Sequence, residues 1–256
     1  VVDYSITDSV AEIVLNDPGK LNALDEAALD DLSAAFTRAA ADDARAVILR
    51  GEGRAFCAGR DISQVDPATD DALGYLDGLV TPLLKQISEF PAPTFAIATG
   101  ACLGVGLGLL VASDVVYVAD SARIGSPFAN LGALLDSGGH ALFFERLGAH
   151  RTLDLVYTAE LMTGTEAVAL GLFSRVVPGA DILEFTRERA TRAAHGATQA
   201  FLASKRLVHR LRDEPTGLWE SIAAENILQG ELCATSDYRE GFAAFREKRP
   251  PVFKTP

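Results

Sequence analysis

Arg54-Ala55-Phe56-Cys57-Ala58-Gly59-Arg60-Asp61-Ile62 and Thr99-Gly100-Ala101-Cys102-Leu103-Gly104-Val105-Gly106-Leu107-Gly108 decide how this chain is read. Each follows a β-rich run, Ala46-Val47-Ile48-Leu49-Arg50 before the first and Thr94-Phe95-Ala96-Ile97-Ala98 before the second. Each then places glycines where the backbone must turn sharply and come close to a ligand. Such turns offer N–H groups rather than side chains. Two fixed N–H donors in a dry site stabilise an oxygen that gains charge during a reaction, as in an oxyanion hole. A dinucleotide fingerprint is the rival reading of the second turn, but Leu109 stands where its third glycine belongs and the opening βαβ context is wrong.

With 256 residues the chain can bury a large core. Its net charge of −12 argues against nucleic acid as a partner, because phosphates would meet a repulsive field. Cys57, Cys102 and Cys233 are odd in number and lack metal-ligand spacing, which predicts a reduced cytoplasmic protein with no metal site. The start, Val1-Val2-Asp3-Tyr4-Ser5-Ile6-Thr7, has no basic region and alternates like a strand, so no signal peptide is expected. Phe95 to Ser113 is uncharged, but its four glycines and its turn pattern predict a buried strand–turn–helix rather than a membrane span.

The first half reads as strands punctuated by helices. Val10 to Leu15 forms a strand, and Leu29, Leu32, Phe36 and Ala39 share a face of a helix that Asp25 caps. Asp71 to Glu89 has helical spacing weakened by Gly74, Gly78 and Pro82. Val115 to Val118 is an apolar strand, followed by a helix from about Ser137. From about residue 181 the pattern is helical: Ile182 to Ala194, Thr198 to Leu211, Leu218 to Leu232 and Asp237 to Lys248. Helices with apolar faces beyond what one core buries often pack on neighbouring subunits.

These motifs, together with Lys20-Leu21-Asn22-Ala23-Leu24, Ser113-Asp114, Thr163-Gly164, Ala169-Leu170-Gly171-Leu172 and the closing stretch Glu240 to Pro250, resemble the crotonase superfamily of enoyl-CoA hydratases and isomerases. The resemblance implies an α/β fold, a spiral of strand–strand–helix units over residues 1–195, with a helical region over 196–256 that builds homotrimers or hexamers. It also implies an acyl-CoA thioester as substrate, with coenzyme A part of the substrate and no tightly bound cofactor. By position, the oxyanion donors would be the N–H groups of Arg60 and Val105. Carbonyls around Ala58 and Ile62 would take the adenine amino group, Lys20 would lie near the phosphates, and Phe245 and Lys248 would reach the coenzyme A tail.

Two departures bear on the chemistry. Where typical hydratases of the resembled family carry glutamates, this chain has Gly108 and Phe128. Hydration needs groups that position water and exchange its protons, so the resemblance points away from an ordinary hydratase. Asp136 stands where isomerase branches, such as dienoyl-CoA and epoxyphenylacetyl-CoA isomerases, carry one aspartate. A double-bond shift needs one base that takes a proton and returns it elsewhere. Flanking Leu134, Leu135 and Phe128 would leave the anion poorly solvated and raise its pKa. From spacing alone a helix N-cap, a role that competes with basicity, is the favoured reading of Asp136, and the family position reverses that preference. His140, four residues on, is either a partner for the proton or a packing residue. An atypical hydratase and a non-catalytic acyl-CoA binder stay open as rivals.

Overall fold

Ala46 and Ile48 of β3 (Ala46–Gly51) enter one apolar cluster while Val47 and Leu49 enter another, so the strand is buried on both faces. Phe95 and Ile97 of β4 (Thr94–Ala98) divide from Ala96 and Ala98 in the same way. Double burial is why these strands read as uninterrupted apolar runs instead of alternating. The computed structural model describes residues 1–63, 65–66, 68–214, 222–223, 226–227, 229–231 and 235–253, with the side chains of Leu131, Phe242, Phe245 and Arg246 outside the described set.

The larger sheet has six strands in the order β1-β2-β3-β4-β6-β9, comprising β1 (Val2–Thr7), β2 (Val10–Leu15), β3, β4, β6 (Val115–Ala119) and β9 (Arg175–Val177). Only the β1–β2 pair is antiparallel; β2 to β9 run parallel. A second sheet joins β5 (Ala101–Leu103), β7 (Arg123–Gly125) and β8 (Met162–Thr163). An isolated bridge between Cys57 and Cys102 extends it by one rung. Successive coils thus give one strand to the large sheet and one short rung to the small one: β3 then Cys57, β4 then β5, β6 then β7. The rhythm of the sequence is a structural repeat without a sequence period.

Helices close both faces. On one, α1 (Glu26–Ala41) buries Leu29, Leu32, Phe36 and Ala39, and the Asp25 carboxylate accepts the Ala28 N–H at 2.8 Å, the cap read from the sequence. On the other, α7 (Ile182–Ala194) packs Ile182, Ala190 and Ala194 over β3, β4 and β6. The segment 71–89 is not one regular helix. It runs as α2 (Ala72–Tyr75), a π turn (Leu76–Val80) and α3 (Thr81–Ser88). Pro82 has no N–H to give the Gly78 carbonyl, and the Thr81 N–H reaches back five residues to Leu76 instead.

Helix α4 (Val105–Ala112) follows Gly104 and is buried throughout its first six residues. Helix α5 (Gly139–Thr158) starts later than predicted, because Gly138 at φ 85° is its N-cap. Between β8 and β9 lies α6 (Gly164–Ala169). Arg45 ties the later chain to the core through the Gly196 carbonyl at 2.8 Å and Thr198 Oγ1 at 3.1 Å. Lys205 of α8 (Thr198–Asp213) reaches Asp114 at 2.9 Å and the Phe90 carbonyl at 3.0 Å. The helix read over Leu218 to Leu232 lies largely outside the described residues, and α9 (Ser236–Glu247) is the last described helix. Among the described residues no helix is long and apolar enough to cross a membrane.

Candidate active site

The two glycine turns meet at the Cys57–Cys102 rung. Cys57 N–H donates to the Ala101 carbonyl at 2.9 Å, and Leu103 N–H donates to the Cys57 carbonyl at 3.0 Å. Three residues beyond each cysteine stand Arg60 and Val105. On its other side the first turn pairs with Leu24, whose N–H takes the Gly59 carbonyl while its own carbonyl accepts the Asp61 N–H, both at 2.8 Å. Strand alternation therefore aims the Arg60 N–H away from Leu24. Val105 opens α4, where the first N–H groups have no partner inside the helix. Among the described residues, neither N–H has a protein acceptor.

Gly59 makes the close approach possible. It sits at φ 95°, and a β-carbon there would lie 2.8 Å from the Leu103 carbonyl oxygen and 3.6 Å from the Val105 nitrogen. The site is dry on this side, since Cys57 and Cys102 are fully buried and burial pushes the Cys57 thiol up to about 12. Both thiols are packing groups rather than nucleophiles.

Asp136 comes to this site on the loop before α5. A β-carbon at Gly108 would lie 2.5 Å from Ser137 Cβ, and one at Gly104 would lie 2.6 Å from the Phe128 ring. The loop and the ring therefore press on the N-terminal turns of α4. The Asp136 carboxylate does not cap α5: among the described residues its partner is the Ser137 hydroxyl, at 2.8 Å. Burial is the largest influence on it and raises its pKa, against the Ser137 hydrogen bond and the nearby Arg60 guanidinium, which lower it.

Two details of the sequence reading change. Leu134 is 71% exposed and shields nothing, whereas Leu135 is buried against Gly139. Asp136 is not helical, so the one-turn relation to His140 does not hold. Ser137 fills the space beside Gly108, where typical hydratases of the resembled family carry a glutamate.

The Arg60 side chain has an unforeseen setting. Its guanidinium takes both Asp70 oxygens, at 2.7 and 3.0 Å, and stacks 4.1 Å above the centre of the Tyr75 ring. Tyr75 is buried, and its hydroxyl lies 3.4 Å from the Leu24 carbonyl. Asp136 also acts on Tyr75, which places these side chains in one electrostatic neighbourhood. Arg60, Asp70 and Tyr75 line a cleft of about 510 Å³ with Leu24, Val65 and Leu79. Asp70 and Tyr75 follow Arg60 by ten and fifteen residues through irregular chain, so no periodicity announced them. The only signal was an unusual arginine in a glycine turn.

The residues expected at coenzyme A separate into two places. Lys20 Nζ pairs with Asp61 at 2.8 Å beside the first turn, and Asp61 also accepts the Ser63 N–H, holding its carboxyl well below the usual range. Ala58 gives its N–H to Leu21, Ile62 is exposed, and the Ile62 carbonyl accepts the Val65 N–H at 3.2 Å. Lys248 is exposed just past α9. The side chain of Phe245 lies outside the described residues.

A spiral of strand–strand–helix coils with two glycine turns meeting at one rung is the architecture of the crotonase superfamily. Residues 5–256 match the family described as enoyl-CoA hydratase/isomerase, and the chain belongs to it. The chain is 37% identical over 252 residues to a Rhodobacter capsulatus protein titled "Probable enoyl-CoA hydratase", covering 98% of this chain and 97% of that one. It is 31% identical over 243 residues to the Escherichia coli 2,3-dehydroadipyl-CoA hydratase, covering 94% of each. A solved enoyl-CoA hydratase subunit from Geobacillus kaustophilus superposes with a TM-score of 0.88 at 32% identity, over 99% of this chain and 97% of that one.

Proposed function

We propose that this crotonase-superfamily enzyme isomerises an unsaturated or ring-epoxide acyl-CoA thioester through an enolate-like intermediate. Asp136 takes a proton from a carbon conjugated with the thioester, charge passes to the thioester oxygen, and the N–H groups of Arg60 and Val105 hold that oxygen. The same carboxyl returns the proton to another carbon, so the double bond moves and nothing is gained or lost. For a ring epoxide the proton would serve the opening C–O bond. A raised pKa suits a base whose conjugate acid must give the proton back.

The observation that carries the reading is the setting of Asp136. Its carboxylate is half-buried and bonded to a hydroxyl rather than to cap N–H groups, which weighs against both the cap and the inactive binder. The other two acid positions of hydratases are filled by the packing of Gly108 on Ser137 and of Phe128 on Gly104. In this reading Lys20, Lys248 and the carbonyls near Ala58 and Ile62 meet coenzyme A, with Phe245 at its tail. Phe144, Tyr157, Val208 and Phe201 on α5 and α8 stay exposed, which fits a homotrimer or hexamer.

The names of the relatives favour a second reading, an enoyl-CoA hydratase in which Asp136 alone handles the water. Assays on paired β,γ- and α,β-unsaturated acyl-CoA esters and on crotonyl-CoA separate the two. Double-bond migration lost by about 100-fold or more in Asp136→Asn supports the isomerase. Robust hydration of crotonyl-CoA supports the hydratase, and full migration in Asp136→Asn removes Asp136 as the base.

A further inference from the structure

We propose that Asp70 is a specificity-determining residue: it occupies the Arg60 guanidinium and so keeps acyl groups that carry a carboxylate out of the cleft it lines with Arg60 and Tyr75. This rests on the acyl-CoA reading above and adds to it that the cleft takes the acyl group. Arg60 is the one basic residue among the described residues lining that cleft. An open guanidinium fork there would be a carboxylate receptor, since its parallel N–H groups match two carboxylate oxygens.

The fork is not open. Asp70 fills it with both oxygens, and the Tyr75 ring covers a face of the guanidinium. The Arg60 and Asp70 side chains are only 21% and 23% exposed, so the pair is sheltered enough to hold its geometry. A substrate carboxylate entering here finds the fork taken and meets Asp25, Glu26, Asp61, Asp66 and Asp71 along the walls. An uncharged acyl chain meets Leu24, Val65, Tyr75 and Leu79 instead. Discrimination therefore comes from an occupant built into the chain, which repels the wrong ligand as well as accepting the right one. Removing Asp70 would expose the cation and take one negative charge from the wall.

Calorimetric titration with pentanoyl-CoA, glutaryl-CoA and free coenzyme A tests this. The two esters are saturated and matched in chain length, and they differ in the terminal carboxylate. The wild-type protein is expected to bind pentanoyl-CoA more tightly. Asp70→Ala should shift the affinity ratio toward glutaryl-CoA by about tenfold or more. Adding Arg60→Met to Asp70→Ala should return the ratio toward the wild-type value. Asp70→Asn, which keeps a hydrogen-bond acceptor in the loop, should shift the ratio in the same direction but less, and serves if the alanine variant folds poorly. A ratio unchanged in both Asp70 variants, or a shift that survives Arg60→Met, overturns the proposal. Esters that bind no better than free coenzyme A in every variant overturn the acyl-cleft reading itself. Because nothing turns over, the result does not depend on Asp136 being the base.

Discussion

Gly108 backs directly onto Ser137, so closely that a β-carbon on the glycine would stand 2.5 Å from that of the serine. In an exposed helix, alanine at this position would be favoured by about 1 kcal/mol. Here the contact reverses the sign. Gly108→Ala is expected to cost about 1–3 kcal/mol through overpacking, read by urea titration, and to lower turnover by displacing the Asp136 loop. A variant with wild-type stability and turnover would show that the loop is not held by this contact.

The pH dependence of turnover should report Asp136. Since burial raises its pKa, activity falls as pH drops through that raised value and the base becomes protonated. Ser137→Ala removes an O–H that favours the anion, so the acid limb of kcat/KM should move to higher pH. Folding binds the Asp136 proton more tightly than the unfolded chain does. Its contribution to stability is therefore present below the unfolded pKa and lost as pH rises through the folded one. Asp136→Asn should consequently be at least as stable as wild type at neutral pH.

Much of the scaffold was legible because its signals were local. Asp25 precedes a helical apolar stripe and caps it, and the strands around Ile48 and Ile97 are apolar because both of their faces are covered. Asp136 was ambiguous because Asp136-Ser137-Gly138-Gly139 offers more than one place to start a helix. Only the left-handed turn at Gly138 decides that the carboxylate is spared from capping. The π turn at Leu76–Val80 and the Arg60–Asp70–Tyr75 cluster depend on contacts made through space, which spacing along the chain does not encode.

Lys20 should matter for binding rather than for chemistry. In the proposed role, Lys20→Ala raises KM for acyl-CoA several-fold with little change in kcat, and the loss should shrink at high salt, as expected of an exposed charge. Steady-state kinetics at two ionic strengths check this. A fall in kcat alone would assign Lys20 to the active-site loop through Asp61 instead.

Lys205 is predicted to be a structural cation. Its side chain, 10% exposed, lies between α8 and the start of β4, where it meets Asp114 and two carbonyls. Lys205→Met leaves the Asp114 carboxylate without its cation and should cost about 3 kcal/mol in urea unfolding. A neutral result would mean that the backbone contacts of Asp114 suffice for it.

The rung joining Cys57 to Cys102 has a consequence for how this protein can change. Arg60 and Val105 lie at the same offset from it, so they are equivalent points on consecutive windings, and the gap between them is governed by ladder spacing, about 4.8 Å per rung. Neither amide can be retuned by exchanging a side chain. Inserting or deleting one residue between rung and donor would rotate that donor out of line, whereas a substitution at Asp70 leaves both donors in register. Variation in what the pocket admits is thereby uncoupled from the electrophile it admits it to.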